Sequence, residues 1–76
     1  MLGNPKYNVG DIVQFNYGNK LKQGIIVIVD EYGVWENNDD VHYDILNKNE
    51  NILYKHNIET LIINKIGEVE DKNNIW

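Results

Sequence analysis

Asp39, Asp40, His42 and Asp44 fall within six residues, and oxygen ligands packed this closely around an imidazole are the chain's nearest approach to a metal site. The spacing is not that of a calcium loop, which needs a central Gly and a distal bidentate Glu. On a strand, His42 and Asp44 share one face, but one His and one carboxylate make only half of a zinc site. The competing reading is a solvated strand face beside an acidic loop, and no metal is expected. Hydrolytic chemistry has less to draw on. The chain has no Ser and no Cys, and Thr60 is its only Thr, so a nucleophile must be Thr60 or a carboxylate. His42 and His56 are the available general bases. Gly10, Gly18, Gly24 and Gly33 are separate turn glycines and do not form a phosphate-binding loop. The chain is expected to be non-catalytic and to carry no cofactor.

Recognition is the chemistry the residues suit better. Trp35 adjoins Glu36-Asn37-Asn38-Asp39-Asp40, with Tyr32 at the neighbouring turn. An amphipathic aromatic ringed by acidic groups is the make-up of many protein-binding hot spots, in which charges guide the approach. Tyr32, Trp35, Glu36, Asp39 and Asp40 are therefore the candidate partner-binding residues. The alternative is that Trp35 caps one end of the core, and Trp76 is likewise either a tail anchor or a contact. Twelve carboxylates against seven lysines give a net charge of −5, which favours a basic partner and repels nucleic acid at long range. The rival reading is direct nucleic-acid binding, with Tyr17, Tyr32 and Trp35 stacking on bases and Lys20, Lys22, Lys48 and Lys55 contacting phosphates. Against it stand the negative total charge and the absence of Arg, the preferred residue for bidentate phosphate and guanine contacts.

Seventy-six residues make one domain with a small core, since a chain this short buries only about 60% of the surface its unfolded form exposes. With no Cys, neither a disulfide nor a thiolate metal site supplements that core. Arg, Ala and Ser are absent while Asn, Ile and Lys are abundant, a usage expected of an A/T-rich genome. Met1-Leu2-Gly3-Asn4-Pro5-Lys6 has no export pattern, and the longest apolar run, Ile25 to Val29, is far short of the ~20 residues that span a bilayer. A soluble, cytoplasmic protein with no membrane association is expected.

Short runs rich in Ile, Val and Tyr, bounded by Gly, Asn or Asp, must position these groups, and they read as strands. After a lead-in over 1–8, Asp11–Tyr17 alternates, with Val13 and Phe15 inward and Ile12, Gln14 and Asn16 outward. Tyr17-Gly18-Asn19-Lys20 is a turn. Gly24–Asp30 lacks clean alternation, which points to a bent strand, with Gly24 permitting a bulge or close backbone approach. The stretch Glu36–Asp40 is an exposed loop. Val41–Leu46 alternates again and makes a hairpin with Ile52–Lys55 across Asn47–Asn51. One turn of 3₁₀ helix within His56–Leu61 leads to a last strand, Leu61–Asn64. Residues 65–76 are expected as an extra edge strand, a short helix or a tail, and a homodimer through this C-terminal segment is a further expectation.

Five strands with one tight helical turn before the last make an all-β layout of the Src-homology-3-like small-barrel kind over residues 9–64. Val9-Gly10-Asp11-Ile12-Val13-Gln14-Phe15 followed by Gly24-Ile25-Ile26-Val27-Ile28-Val29-Asp30-Glu31-Tyr32-Gly33 resembles the opening of KOW- and Tudor-type barrels, where a G-D-x-V strand precedes a G-x-I-x-x-V strand. Val41–Leu46 and Leu53–Leu61 look like the closing strands of small barrel proteins from phages of low-GC bacteria. The resemblance covers roughly residues 7–63 and implies a phage or mobile-element accessory protein. Such a protein would act stoichiometrically by protein–protein interaction, inhibiting a basic, nucleic-acid-binding host protein. Folds of this kind host many unrelated activities.

Overall fold

The structure is a computed structural model that describes residues 5–30 and 41–71. Within them are β1 (Asp11–Tyr17), β2 (Lys20–Asp30), β3 (His42–Asn47), β4 (Ile52–Ile58), a 3₁₀ turn (Glu59–Leu61) and β5 (Ile62–Glu68). All four pairings are antiparallel, and they join the strands into one sheet in the order β4-β3-β2-β1-β5. The fold is all-β, with the 3₁₀ turn immediately before the last strand. No ladder joins β4 to β5 among the described residues, so hydrogen bonding leaves the sheet open there.

One core is shared by every strand. Val13 and Phe15 of β1, Ile26 of β2, Tyr43 and Ile45 of β3, Tyr54 of β4 and Ile62 of β5 are buried together, with Val41 just ahead of β3. Strong curvature follows from the rings. β1 and β4 are three ladder steps apart, roughly 14 Å in a flat sheet, yet the Phe15 and Tyr54 ring centroids lie 5.4 Å apart, edge to face. The inward placement of Val13 and Phe15 matches the two-residue period of β1, and both are fully buried.

Irregularities in the ladders supply the bending. In β2 the register with β3 shifts between Ile26 and Ile28, leaving Val27 as an extra residue. Ile26 and Val27 are consequently buried in succession and Ile28 is exposed, which is why this strand shows no alternation. Gly24 answers to close approach: a Cβ there would lie 2.6 Å from the Leu46 carbonyl oxygen and 2.7 Å from Ile45 Cγ2. β4 bulges opposite Asp44, and β5 shifts register twice against β1.

Three strands run further than their sequence pattern indicates. β2 starts at Lys20 because Gly18-Asn19 forms a two-residue hairpin loop, with Gly18 at φ 63°, that continues pairing into Lys20 and Leu21. β4 reaches Ile58, carried past Lys55 by its bulge, and β5 reaches Glu68 because β1 pairs with it as far as Asp11. Residues 65–68 are thus the second half of β5, not a separate element.

Candidate binding surface

Tyr32, Trp35, Glu36, Asp39 and Asp40, with the acidic half of the possible metal cluster, lie outside the described residues. The structure describes the two ends from which their segment leaves. Asp30 closes β2 and is paired with His42, the first residue of β3, so residues 31–41 connect neighbouring strands at one end of the sheet. Val29 packs against the core and Val41 is buried in it, which anchors both ends.

Beside this end, the ring of buried His42 meets that of exposed His56 edge-on, with centroids 6.4 Å apart. Asp44 does not face a metal with them: its Oδ1 accepts the backbone N–H of His56 at 2.9 Å, a structural use of the carboxylate. Among the described residues no three His, Asp or Glu side chains gather in a way that could hold a metal ion.

Two tyrosine-centred networks tie the molecule together. Tyr43, fully buried, donates its hydroxyl to Glu59 Oε2 at 2.5 Å, and that oxygen also accepts the Lys6 N–H at 3.1 Å. The Tyr7 ring packs edge-on against Tyr43 at 5.8 Å, so the lead-in segment docks on β3 and the 3₁₀ turn. Burial, and then the adjacent Glu59 carboxylate, push the Tyr43 hydroxyl well above the usual phenol range. At the other end, Glu50 accepts from Tyr54 Oη at 2.6 Å and from Lys22 Nζ at 2.6 Å. The Lys22 bond holds the Glu50 carboxyl below the usual range, and Glu50 in turn raises Lys22 and Tyr54. Tyr17 is half exposed but leans its ring on Tyr54 at 4.6 Å, a packing partner rather than a free stacking platform.

A feature that the strand patterns do not single out lies on the outer face. The ladders align Ile12 with Ile25, Ile25 with Leu46 and Leu46 with Leu53, one apolar residue from each of four adjacent strands. Gly67 of β5 lies beside Ile12 and extends the row to the fifth strand. All five residues are only partly buried. A groove of about 140 Å³ is lined by Ile12, Gly24, Ile25 and Leu46 together with the polar Gln23, Asn47, Lys48 and Asn49. That is well below the roughly 300 Å³ at which small-molecule sites begin. The sequence signal was present in Ile12 and Leu46, apolar on faces opposite the core, but only the register brings them into line.

No protein-family model, curated protein or solved structure matches this chain. No helix among the described residues is long and apolar enough to cross a membrane.

Proposed function

We propose that this protein is a small, non-catalytic binding module of the Src-homology-3-like kind that works in the cytoplasm, taking a basic protein on the acidic, aromatic connection between β2 and β3. The supporting observation is the position of the charge. Glu31, Glu36, Asp39 and Asp40 lie within residues 31–40, which contain no lysine, while the other eight carboxylates nearly balance all seven lysines. Most of the net charge of −5 therefore belongs to one connection, whose two ends are held together by the Asp30–His42 pairing. Charge concentrated in one short stretch of chain steers an oppositely charged partner, and Trp35 with Tyr32 supplies apolar area for the contact. A phage or mobile-element accessory protein of this kind acts by occupying a host surface that otherwise binds nucleic acid.

Direct nucleic-acid binding is the weaker reading. Lys22, one of the four lysines that would meet phosphates, is ion-paired with Glu50 and so already has a carboxylate partner.

The test immobilises the full chain, a Trp35→Ala variant and a variant with all four carboxylates of 31–40 changed to amides, and passes a low-GC bacterial lysate over each. A basic protein retained by the wild type and lost from both variants is the expected result. Equal retention by all three, or none by any, removes the proposal. Steeply salt-dependent retention of single-stranded RNA or DNA would favour the rival.

A further inference from the structure

Tyr43 stands next to the last rung of two ladders at once. It is opposite Val29 of β2 and Asn57 of β4, and the final rung joins Asp30, His42 and Ile58. Residues 31–40 depart and return on one side of that rung, and the 3₁₀ turn begins at Glu59 directly after it on the other. The end of a ladder is where local opening costs least. How often this rung opens therefore depends on what holds its neighbour Tyr43.

The lead-in supplies that hold from outside the sheet. The Tyr7 ring packs edge-on against Tyr43 at 5.8 Å, and Tyr43 is left with no exposed surface. The Tyr7 N–H donates to the Tyr43 hydroxyl at 3.4 Å, and the Lys6 N–H donates to Glu59 Oε2 at 3.1 Å, the oxygen to which Tyr43 itself donates. One network thus ties the lead-in both to β3 and to the residue that follows Ile58. The lead-in is itself lightly held. Among the described residues, 5–7 make no backbone–backbone bond, and the N–H bonds of Lys6 and Tyr7 end on side chains. Tyr7 is only partly buried. Such a segment can detach while the ladders stay formed.

We propose that residues 5–8 form a detachable strap that, through Tyr43 and Glu59, sets how firmly the Asp30–His42–Ile58 rung is closed. With the strap docked, opening the rung also strips the Tyr7 ring from Tyr43. With the strap away, Tyr43 has already lost that cover, and the rung opens more often. Tyr7 is a positioning residue in this device, and its ring is the part that acts. The coupling is reciprocal: whatever favours the closed rung tightens the strap, and whatever removes the lead-in loosens the two points between which residues 31–40 run. The device belongs to the free protein and is independent of the partner proposed for the acidic connection.

Amide hydrogen exchange of the full chain, followed by NMR with no partner present, tests the strap. Tyr7→Ala should speed the protected amides among Val29, Asp30, His42, Tyr43 and Ile58 by about tenfold, the size of one lost edge-to-face ring contact. Tyr7→Phe keeps the ring and should exchange as the wild type does. Gly24→Ala, at the other end of the β2–β3 ladder, should lower the urea midpoint yet leave those amides unchanged, because it does not touch the strap. The proposal is overturned if Tyr7→Ala leaves them unchanged, or if Tyr7→Phe fails to restore the wild-type rates. It is equally overturned if Gly24→Ala speeds them as much as Tyr7→Ala, since the rung would then open only with the whole fold.

Discussion

Asp44 on β3 holds the backbone N–H of His56 on β4 with its Oδ1 at 2.9 Å, and it does so where β4 carries an extra residue and His56 is forced to φ 60°. The carboxylate takes the place of the ladder bond that the bulge removes. Replacing His56 with Gly relieves the left-handed conformation, worth roughly 1–2 kcal/mol, against the greater conformational entropy that Gly gives the unfolded chain. The net expectation is a gain of up to about 0.5 kcal/mol in urea unfolding. Asp44→Ala, which leaves that N–H without its acceptor, should cost about 1 kcal/mol in the same measurement.

Asn57 is buried at the same bulge, and its Nδ2 donates to the Tyr54 carbonyl at 2.9 Å and the Tyr43 carbonyl at 3.2 Å. Asn57→Leu leaves both buried acceptors without that donor and should destabilise the protein by about 1–3 kcal/mol. Urea midpoints with an unchanged m-value would report this loss as one of stability alone.

Gly24 and Gly67 should respond to alanine in opposite directions. At Gly24 the new methyl group collides with backbone, and β2 and β3 must separate, at a cost of about 1–3 kcal/mol. At Gly67 there is room, and the variant should be at least as stable as the wild type. Thermal unfolding of the two variants under dilute conditions checks the contrast.

Acid should weaken the Glu50 cluster. The Glu50 carboxyl is lowered in the folded protein by its bond to Lys22. Its contribution is therefore complete above the unfolded Glu value and disappears as pH falls through the lowered folded value. Glu50→Gln should flatten the acid limb of a stability-against-pH curve measured in urea.

Alkali should act on Tyr43. Its folded value is raised from 10.0, so its contribution is intact below that pH and declines as pH rises above it, because the unfolded chain then ionises while the folded one does not. Tyr43→Phe should lose about 1 kcal/mol near neutral pH and show less decline between pH values of roughly 9 and 11 than the wild type. It should also speed amide exchange at Lys6, whose N–H shares the Glu59 oxygen with Tyr43.

Local chemistry was enough to determine the class of this fold. The alternation in β1 named Val13 and Phe15 as core, Gly18 and Asn19 announced the first hairpin, and Glu59–Leu61 fell within the expected helical turn, because each rests on contacts between residues close in the chain. The acidic character of 31–40 and the want of a Ser or Cys nucleophile are likewise plain from composition. Register was beyond the sequence's reach. A bulge at Val27, another opposite Asp44 and two shifts along β5 depend on how strands far apart in the chain pack around one small interior. Those shifts decide that Ile12, Ile25, Leu46 and Leu53 stand in one row, and that Gly24 is compulsory while a Cβ at Gly67 has room. A one-residue slip carries every later side chain to the other face, so no pattern read along the chain can supply what only the packed sheet selects.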